Sequence, residues 1–87
     1  MTEMLRVMAI DDEPLALKRL ELLLARIPRV ELVGKALSAP AALQQIAVLR
    51  PDVLLLDIRM AGMTGFDLVE HLSGPFLPLV IFVTAFD

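Results

Sequence analysis

The chain has 87 residues, a hydrophobic fraction of 57%, no cysteine and a net charge of −3 at pH 7. This length allows one domain with one core, and the lack of cysteine excludes disulfides and thiolate chemistry. The charges form no basic stripe for nucleic acid, and no apolar run approaches the roughly 18 residues of a membrane span. The N-terminus, which carries Glu3, has no signal-peptide pattern, so we expect a cytoplasmic protein without membrane contacts.

The hydrophobic fraction exceeds that of an ordinary domain, for which about 45–50% is typical even with glycine counted. Such an excess indicates that something outside these residues covers part of the apolar surface. Composition leaves two explanations open. The chain is either part of a larger domain or it packs against another copy of itself.

A strand and a helix are predicted at the start of the chain. The apolar run from Leu5 to Ile10 predicts the strand, which stops at the acidic sequence of residues 11–13. Pro14 is typical of a first helical turn, and Pro28 ends the helix that residues 15–27 predict. We therefore expect the acidic residues to lie between a strand end and a helix start.

Apolar residues cover much of this first helix. The stripe predicted to face the core consists of Ala16, Leu20, Leu23, Leu24 and Ile27. Leu15 and Leu22 fall on the opposite, charged side. The helix is therefore apolar over more of its circumference than one sheet contact requires, and we expect a second neighbour along its flank.

The next two elements are a strand and a short helix. Val30 to Leu37 alternate in part between apolar and polar residues, which favours an edge strand, although Gly34 weakens this prediction. Ser38 is a suitable N-cap for a helix from about Pro40 to Leu49. This segment therefore adds a strand at one side of the sheet.

The last third of the chain contains two buried-type strands. Val53–Asp57 is an apolar run that ends in a carboxylate, and Leu79–Ala85 is a second run with Thr84 near its end. Between them lie a loop with Gly62 and Gly65 and a helix that residues 73–75 end. The apolar residues of that helix are Phe66, Leu68, Val69 and Leu72. We expect Phe66 and Phe82 in the core.

The alternation of strands and helices predicts an α/β fold with a parallel sheet and right-handed crossovers. In a parallel sheet the carboxyl ends of the strands share one edge, where ligands bind. Asp11 and Asp12 follow strand 1, Asp57 ends strand 3 and Thr84 lies near the end of strand 4. We therefore expect a shared site there if strands 1 and 3 are neighbours.

Clustered carboxylates need a compensating charge. Two unit charges ~4 Å apart repel by roughly 4 kcal/mol at an effective dielectric constant of about 20. Oxygen ligands without His or Cys favour a hard cation, and a site with free water positions suits Mg²⁺. The residues therefore predict a magnesium site.

A carboxylate beside a metal can also act as a nucleophile and form an aspartyl phosphate. Asp57 is the best placed for that role, and the Thr84 hydroxyl could donate a hydrogen bond to the phosphoryl group. Each residue also has a simpler interpretation. Asp57 alone could mark the end of a strand, and Thr84 alone could be a β-branched strand residue.

Three segments together resemble a known family. A-I-D-D-E-P follows strand 1, V-L-L-L-D-I-R-M-A-G-M-T-G surrounds Asp57, and V-I-F-V-T-A-F-D ends the sequence. On these motifs the chain resembles the response-regulator receiver domain, the CheY-like family of two-component signalling. The first and last motifs are most similar to the LytR/AlgR type, whose members usually carry a C-terminal DNA-binding domain.

The resemblance implies a flavodoxin-like, doubly wound sheet with strand order 2-1-3-4. Residues 1–87 would be the N-terminal portion of the receiver, truncated after the fourth strand, with the fifth strand and helices 4 and 5 missing. In this family helix 5 packs beside helix 1, which would explain the apolar excess.

The resemblance also implies roles for particular residues. Asp57 would accept a phosphoryl group from a histidine kinase, Asp12 would bind Mg²⁺ directly, and Asp11 would bind it through water. The backbone carbonyl of Arg59 would be a further ligand, and Thr84 the switch hydroxyl. The implied function is a regulatory phosphoacceptor domain, not an enzyme, that controls an output such as transcription; DNA would be bound only by a C-terminal domain outside these residues.

Two features depart from the family pattern. Ala61 stands where the family usually has proline, which should loosen the loop without removing a ligand. The lysine that pairs with the phosphoryl group would follow the fifth strand and is missing from the 87 residues. Lys18 on helix 1 and Lys35 on strand 2 are at positions that cannot replace it. We therefore expect weak phosphorylation of this chain by itself.

Two other functions share features with this sequence. An apolar run ending in Asp also describes the Walker B strand of nucleotide hydrolases, but the glycines at 34, 62, 65 and 74 cannot build the required phosphate loop. The second is an assembly module that associates with another copy through strand 4 or helix 1.

The remaining polar and loop residues have simpler interpretations. His71, near the end of helix 3, is predicted to be a solvated helix-end residue rather than a catalytic base. Arg59, Met60 and Met63 lie on a predicted exposed loop, where they could contact a kinase.

Overall fold

A computed structural model of the chain describes residues 3–60, 64–72 and 77–83. Within these ranges the elements are β1 (Leu5–Ile10), α1 (Pro14–Leu24), β2 (Val30–Ala36), α2 (Ala39–Leu49), β3 (Val53–Asp57), α3 (Gly65–Glu70) and β4 (Leu79–Val83). The strands form one parallel sheet in the order β2-β1-β3-β4, which confirms the predicted order. None of the helices in these ranges is both long and apolar enough to cross a membrane.

The register of the sheet places the ends of β1 and β3 side by side. Ile10 lies opposite Leu56, and Asp57 lies opposite Val83. β2 is an edge strand, as its alternation indicated, and its pairing with β1 skips one residue between the pairs Val7–Leu32 and Met8–Gly34. This bulge accounts for the incomplete alternation of β2.

The main core lies between one face of the sheet and the helices α2 and α3. Its fully buried members include Met8, Ile10, Leu54, Leu56 and Leu68. α2 contributes small side chains, Ala39 and Ala42, which let it lie close to the sheet. α1 follows the other face, because the chain returns in the opposite direction along the sheet after β2. The carboxyl ends of β1 and β3 therefore lie at the position where the winding reverses.

The stripe predicted for α1 was partly wrong. Leu17, which the predicted stripe omits, is the buried residue of this helix, whereas Leu23 and Ile27 are exposed. The helix also ends at Leu24 rather than at Ile27. α1 contacts mainly β1 and β2, so its buried line passes through Leu17. Helical spacing alone could not choose between two apolar lines on one helix.

The prediction that Phe66 belongs to the core was wrong. Its side chain is 55% exposed, although its ring centroid lies 4.8 Å from that of Phe82. Phe82 is partly buried and packs against the core, as predicted. Phe66 is the second residue of α3, and its contact with Phe82 leaves more than half of its side chain exposed.

Asp52 links three strands at their amino ends, at the edge of the sheet opposite the acidic residues. Its backbone N–H donates to the Arg6 carbonyl (2.8 Å), and its carboxylate accepts a hydrogen bond from the Arg6 N–H (2.9 Å). Its own carbonyl accepts from the N–H of Leu79 (3.0 Å). β1, β3 and β4 are thereby tied in register at their amino ends, which aligns their carboxyl ends.

Ser38 caps α2 as predicted, since its hydroxyl accepts a hydrogen bond from the Ala41 N–H at 3.3 Å. We expect Ser38→Ala to lower the free energy of unfolding by about 1 kcal/mol, because an N–H group of the first turn loses its partner. Ser38→Asp supplies another acceptor and should stay within about 0.5 kcal/mol of wild type. Urea unfolding followed by circular dichroism measures both, and equal stabilities for the two variants would contradict the assignment.

Candidate metal centre at the carboxyl edge of the sheet

Three carboxylates meet at the carboxyl edge of the sheet. Asp11, Asp12 and Asp57 each offer a carboxylate oxygen, and these oxygens lie within 4.8 Å of one another. The pairing of β1 with β3 brings them together, since Ile10 and Leu56 immediately precede Asp11 and Asp57. The structure thus places side by side the acidic residues that the sequence assigned to one site.

Backbone hydrogen bonds hold two of the carboxylates in place. Oδ1 of Asp11 accepts from the N–H of Glu13 at 2.9 Å, and Oδ1 of Asp57 accepts from the N–H of Arg59 at 3.3 Å. Both are local turns in which an aspartate binds the backbone two residues further on. These two hydrogen bonds therefore orient the carboxylates of Asp11 and Asp57 at the carboxyl edge of the sheet.

The site is electrostatically unfavourable without a cation. Burial raises the pKa of Asp11; the hydrogen bond from Glu13 opposes this shift, and the charges of Asp57, Asp12 and Glu13 add to it. The donor set consists of carboxylate oxygens, which hard divalent cations prefer. The spacing allows all three carboxylates to approach one ion. These residues therefore fit Mg²⁺.

An open cleft leads to the cluster. Its volume is about 230 Å³. It is lined by Asp11, Glu13, Ala16, Arg19, Leu20, Asp57 and Val83. The sequence did not single out Arg19 or Val83 for this position. Asp57 is consequently accessible from the side between α1 and β4.

The two lysines lie elsewhere. Nζ of Lys18 and Nζ of Lys35 are 3.1 Å and 3.0 Å from the carboxylate of Glu21. The hydrogen bonds from Lys35 and Lys18 lower the pKa of Glu21. Neither lysine is among the described residues that line the cleft. That neither lysine replaces a phosphate-pairing lysine stays a prediction.

The predicted switch hydroxyl and the loop after Asp57 lie only in part within the described residues. Thr84, Ala61 and Met63 lie outside the described residues. Arg59 is exposed, whereas Met60 is buried in the core, so the prediction of an exposed loop was wrong at Met60. A methionine three residues after a strand end can turn back onto the core, which its position in the sequence does not reveal.

His71 is exposed at the end of α3. Its Nδ1 lies 2.8 Å from the carbonyl oxygen of Asp67. This is the position of a residue that binds the last turn of its own helix, which supports the helix-end interpretation.

The start of α3 is the feature that the sequence prediction missed. The Thr64 hydroxyl accepts from the N–H of Asp67 at 3.1 Å, and the Asp67 carboxylate accepts from the N–H of Thr64 at 3.0 Å. Thr-x-x-Asp is a form of the capping box, so the signal was present in the sequence. Next to this cap, the N–H of Gly65 donates to the carbonyl of Ile58 at 2.8 Å. α3 is thus attached directly to the segment that follows Asp57.

Comparison with known proteins identifies the family. The family model of the response regulator receiver domain matches residues 7–87 of the chain. The chain belongs to this family. It is therefore a receiver domain of two-component signalling, as the three sequence motifs indicated.

Relatives with similar sequences are response regulators. The chain is 42% identical over 84 residues to the transcriptional regulatory protein BtsR of Salmonella typhi and 39% identical to BtsR of Escherichia coli K12. In both cases the match covers 97% of this chain and 35% of the relative. The chain thus spans about a third of the length of these curated relatives.

Solved structures confirm the flavodoxin-like receiver fold. The receiver domain of the putative regulator NarL from Mycobacterium tuberculosis has a TM-score of 0.85 and 37% identity, over 98% of this chain and 69% of that one. The response regulator domain of Thermotoga maritima CheB has a TM-score of 0.84 and 26% identity, over 94% and 61% of the two chains. Assignment to the LytR/AlgR type stays a prediction.

We expect Asp11→Asn to stabilise the chain in EDTA at pH 7. The substitution removes one charge from the cluster, and the repulsion between nearby unit charges predicts a gain of about 1–2 kcal/mol. Because folding raises the pKa of Asp11, the folded state binds the proton more tightly, and wild-type stability falls as the pH rises through that pKa. The gain should therefore shrink as the pH is lowered through the same value.

Urea unfolding across this pH range measures the effect. Glu31→Gln is the matched control, because it removes one negative charge from an exposed residue of β2, outside the cluster. A gain for Glu31→Gln equal to that for Asp11→Asn would show that the net charge, rather than the cluster, determines stability.

Proposed function

We propose that this receiver accepts a phosphoryl group on Asp57 from a histidine kinase, with Mg²⁺ bound at the acidic cluster. The observation that carries the proposal is the convergence of Asp11, Asp12 and Asp57 within 4.8 Å, at the end of an open cleft. Family membership supports it, because receivers are the regulatory partners of histidine kinases in two-component systems. Under this proposal the chain is a regulatory domain rather than an enzyme with its own substrates.

The transfer requires one nucleophile and a compensated charge. A carboxylate oxygen of Asp57 would attack the phosphorus, so that an O–P bond forms while the P–N bond to the kinase histidine breaks and the imidazole leaves. Mg²⁺, when bound, would offset negative charge on the transferred group. The hydrogen bond from the Arg59 N–H limits the rotation of the Asp57 side chain.

The other acidic residues and the loop would hold the cation. We assign direct binding to Asp12 and Asp57, binding through water to Asp11, and a further ligand to the carbonyl of Arg59. The Thr84 hydroxyl would bind the phosphoryl group and report its presence. A hydrogen bond that exists only in the phosphorylated chain shifts the receiver between two populated states.

We propose that the intact protein is cytoplasmic and that phosphorylation of the receiver controls transcription. BtsR, the relative from Salmonella typhi, is a transcriptional regulatory protein, and the chain matches about a third of it. DNA would then be bound by a domain outside these 87 residues. The scattered charges of the chain, with a net charge of −3, support this separation.

We expect Asp57→Asn to abolish phosphorylation of the intact protein by a small phosphodonor in the presence of Mg²⁺. Asparagine has a similar shape, but its amide is not a nucleophile under these conditions. Mass spectrometry measures the phosphorylated fraction and locates the modified residue. The site assignment would be falsified if Asp57→Asn were modified as fully as the wild type.

Asp52→Asn provides the matched control. Asp52 lies next to the amino end of β3, so the same chemical change is made at the opposite edge of the sheet. An asparagine oxygen can still accept the hydrogen bond from Arg6. The variant should therefore be phosphorylated like wild type. In both proteins the reaction should stop when EDTA removes Mg²⁺.

A second function, self-association of this chain as an assembly module, is favoured by its apolar surface. Within the described residues β4 pairs with β3 alone, and Leu79 and Ile81 are 63% and 45% exposed. α1 carries further exposed leucines, including Leu22 and Leu23. Edge strands of this kind pair readily with another chain.

We expect the chain to associate in sedimentation velocity experiments and Ile81→Lys to weaken the association at least about tenfold, because a charged side chain protects an edge strand. Val48→Lys is the matched control, since Val48 is 81% exposed on α2, a helix that packs mainly against β2. A monodisperse wild-type monomer, or equal effects of the two lysine substitutions, would contradict association through β4.

A further inference from the structure

We propose that Gly65 is a positioning residue for the site: it allows the first turn of α3 to press against the backbone of Asp57 and Ile58 and so fixes the conformation of residues 57–59. The inference rests on the proposed function, because it assigns the cation and the phosphoryl group to Asp57. Gly65 is buried and is not itself a candidate ligand. It would act on the site only through the backbone.

The contact is too close for any side chain. A Cβ on Gly65 would lie 2.8 Å from the carbonyl oxygen of Asp57 and 3.2 Å from the Cα of Ile58. It would also lie 3.1 Å from Cε1 of Phe82 on β4. Two of these three neighbours are backbone atoms, which cannot move away by changing a rotamer.

Hydrogen bonds keep the helix start in this position. The N–H of Gly65 donates to the carbonyl of Ile58 at 2.8 Å, and the capping box of Thr64 and Asp67 closes the first turn. The aromatic contact between Phe66 and Phe82 holds the same turn against β4. The first turn of α3 is therefore attached to the backbone after Asp57 on one side and to β4 on the other.

A displacement here would reach the site directly. The peptide group that joins Asp57 to Ile58 is planar, so moving its carbonyl oxygen rotates the whole group. The next peptide group carries the Arg59 N–H that binds Oδ1 of Asp57. A side chain at residue 65 would thus change the orientation of the Asp57 carboxylate and of the proposed Arg59 ligand together.

Gly34 provides a matched comparison within the chain. A Cβ there would lie 2.8 Å from Cδ1 of Leu49 and 3.0 Å from Oε1 of Gln45. The crowding is as close as at Gly65, but both neighbours are ends of side chains and lie on α2. Gly34→Ala therefore disturbs the packing without disturbing the acidic cluster.

The experiment compares Gly65→Ala with Gly34→Ala in the intact protein. Mg²⁺ affinity is measured by NMR from the amide signals of the folded population, and stability by urea unfolding. We expect both variants to be less stable than wild type, but only Gly65→Ala to bind Mg²⁺ at least about tenfold more weakly, the scale found for residues that orient metal ligands. Its rate of phosphorylation should fall in parallel.

The double variant Gly65→Ala with Phe82→Leu separates positioning from stability. Leucine removes the ring that an added Cβ would meet, while the backbone contact with Asp57 remains. Because it also removes the contact with Phe66, Phe82→Leu alone is the reference for the double variant. We expect the double variant to regain stability relative to Gly65→Ala but not Mg²⁺ affinity. Recovery of both would show that Gly65 serves packing alone and would overturn the proposal.

A measurement on the wild type keeps the proposal testable if the variants do not fold. During Mg²⁺ titration the Gly65 amide signal should shift with the same midpoint as those of Asp57 and Arg59. An unshifted Gly65 signal would overturn the inference. By contrast, a wild type that shows no Mg²⁺ binding and no modification of Asp57 would refute the proposed function itself.

Discussion

The pairing of β1 with β3 is the constraint on which the rest of this structure depends. It places Ile10 opposite Leu56, so the acidic residues that follow are brought within 4.8 Å despite their mutual repulsion. The free energy for this arrangement comes from the buried apolar strands behind them, since burying one large aliphatic side chain contributes about 1.5–3 kcal/mol. The hydrophobic core thus holds together a charge cluster that would separate in an open chain.

Three sets of contacts keep the carboxylates in place, one of them at the opposite edge of the sheet. Asp52 ties the amino ends of β1, β3 and β4 together, the turns after β1 and β3 orient the carboxylates, and the start of α3 presses on the strand end. Each support involves at least one backbone group, and backbone groups tolerate smaller displacements than long side chains do. A site that must place several oxygens around one small cation benefits from such rigidity.

Sequence patterns predicted the features that depend on local chemistry. The apolar runs gave the strands, Ser38 the start of α2, and Asp11, Asp12 and Asp57 the members of the cluster. The errors occurred where a residue's environment depends on distant neighbours. α1 buries Leu17 instead of Leu23, Met60 turns inward, and Phe66 stays exposed. In each case more than one apolar position was available, and only the packed partners determine which one is buried.

The sequence by itself determined the order of the elements, the family and the acidic residues at the strand ends, because periodicity, caps and motifs are properties of neighbouring positions. Only the tertiary structure decided which of these residues meet. The spacing of the carboxylates, the separation of both lysines from the cleft and the closeness of Gly65 to the Asp57 backbone depend on segments far apart in the chain. Such distances are fixed by the register of the sheet and the packing of the helices, which no local pattern encodes.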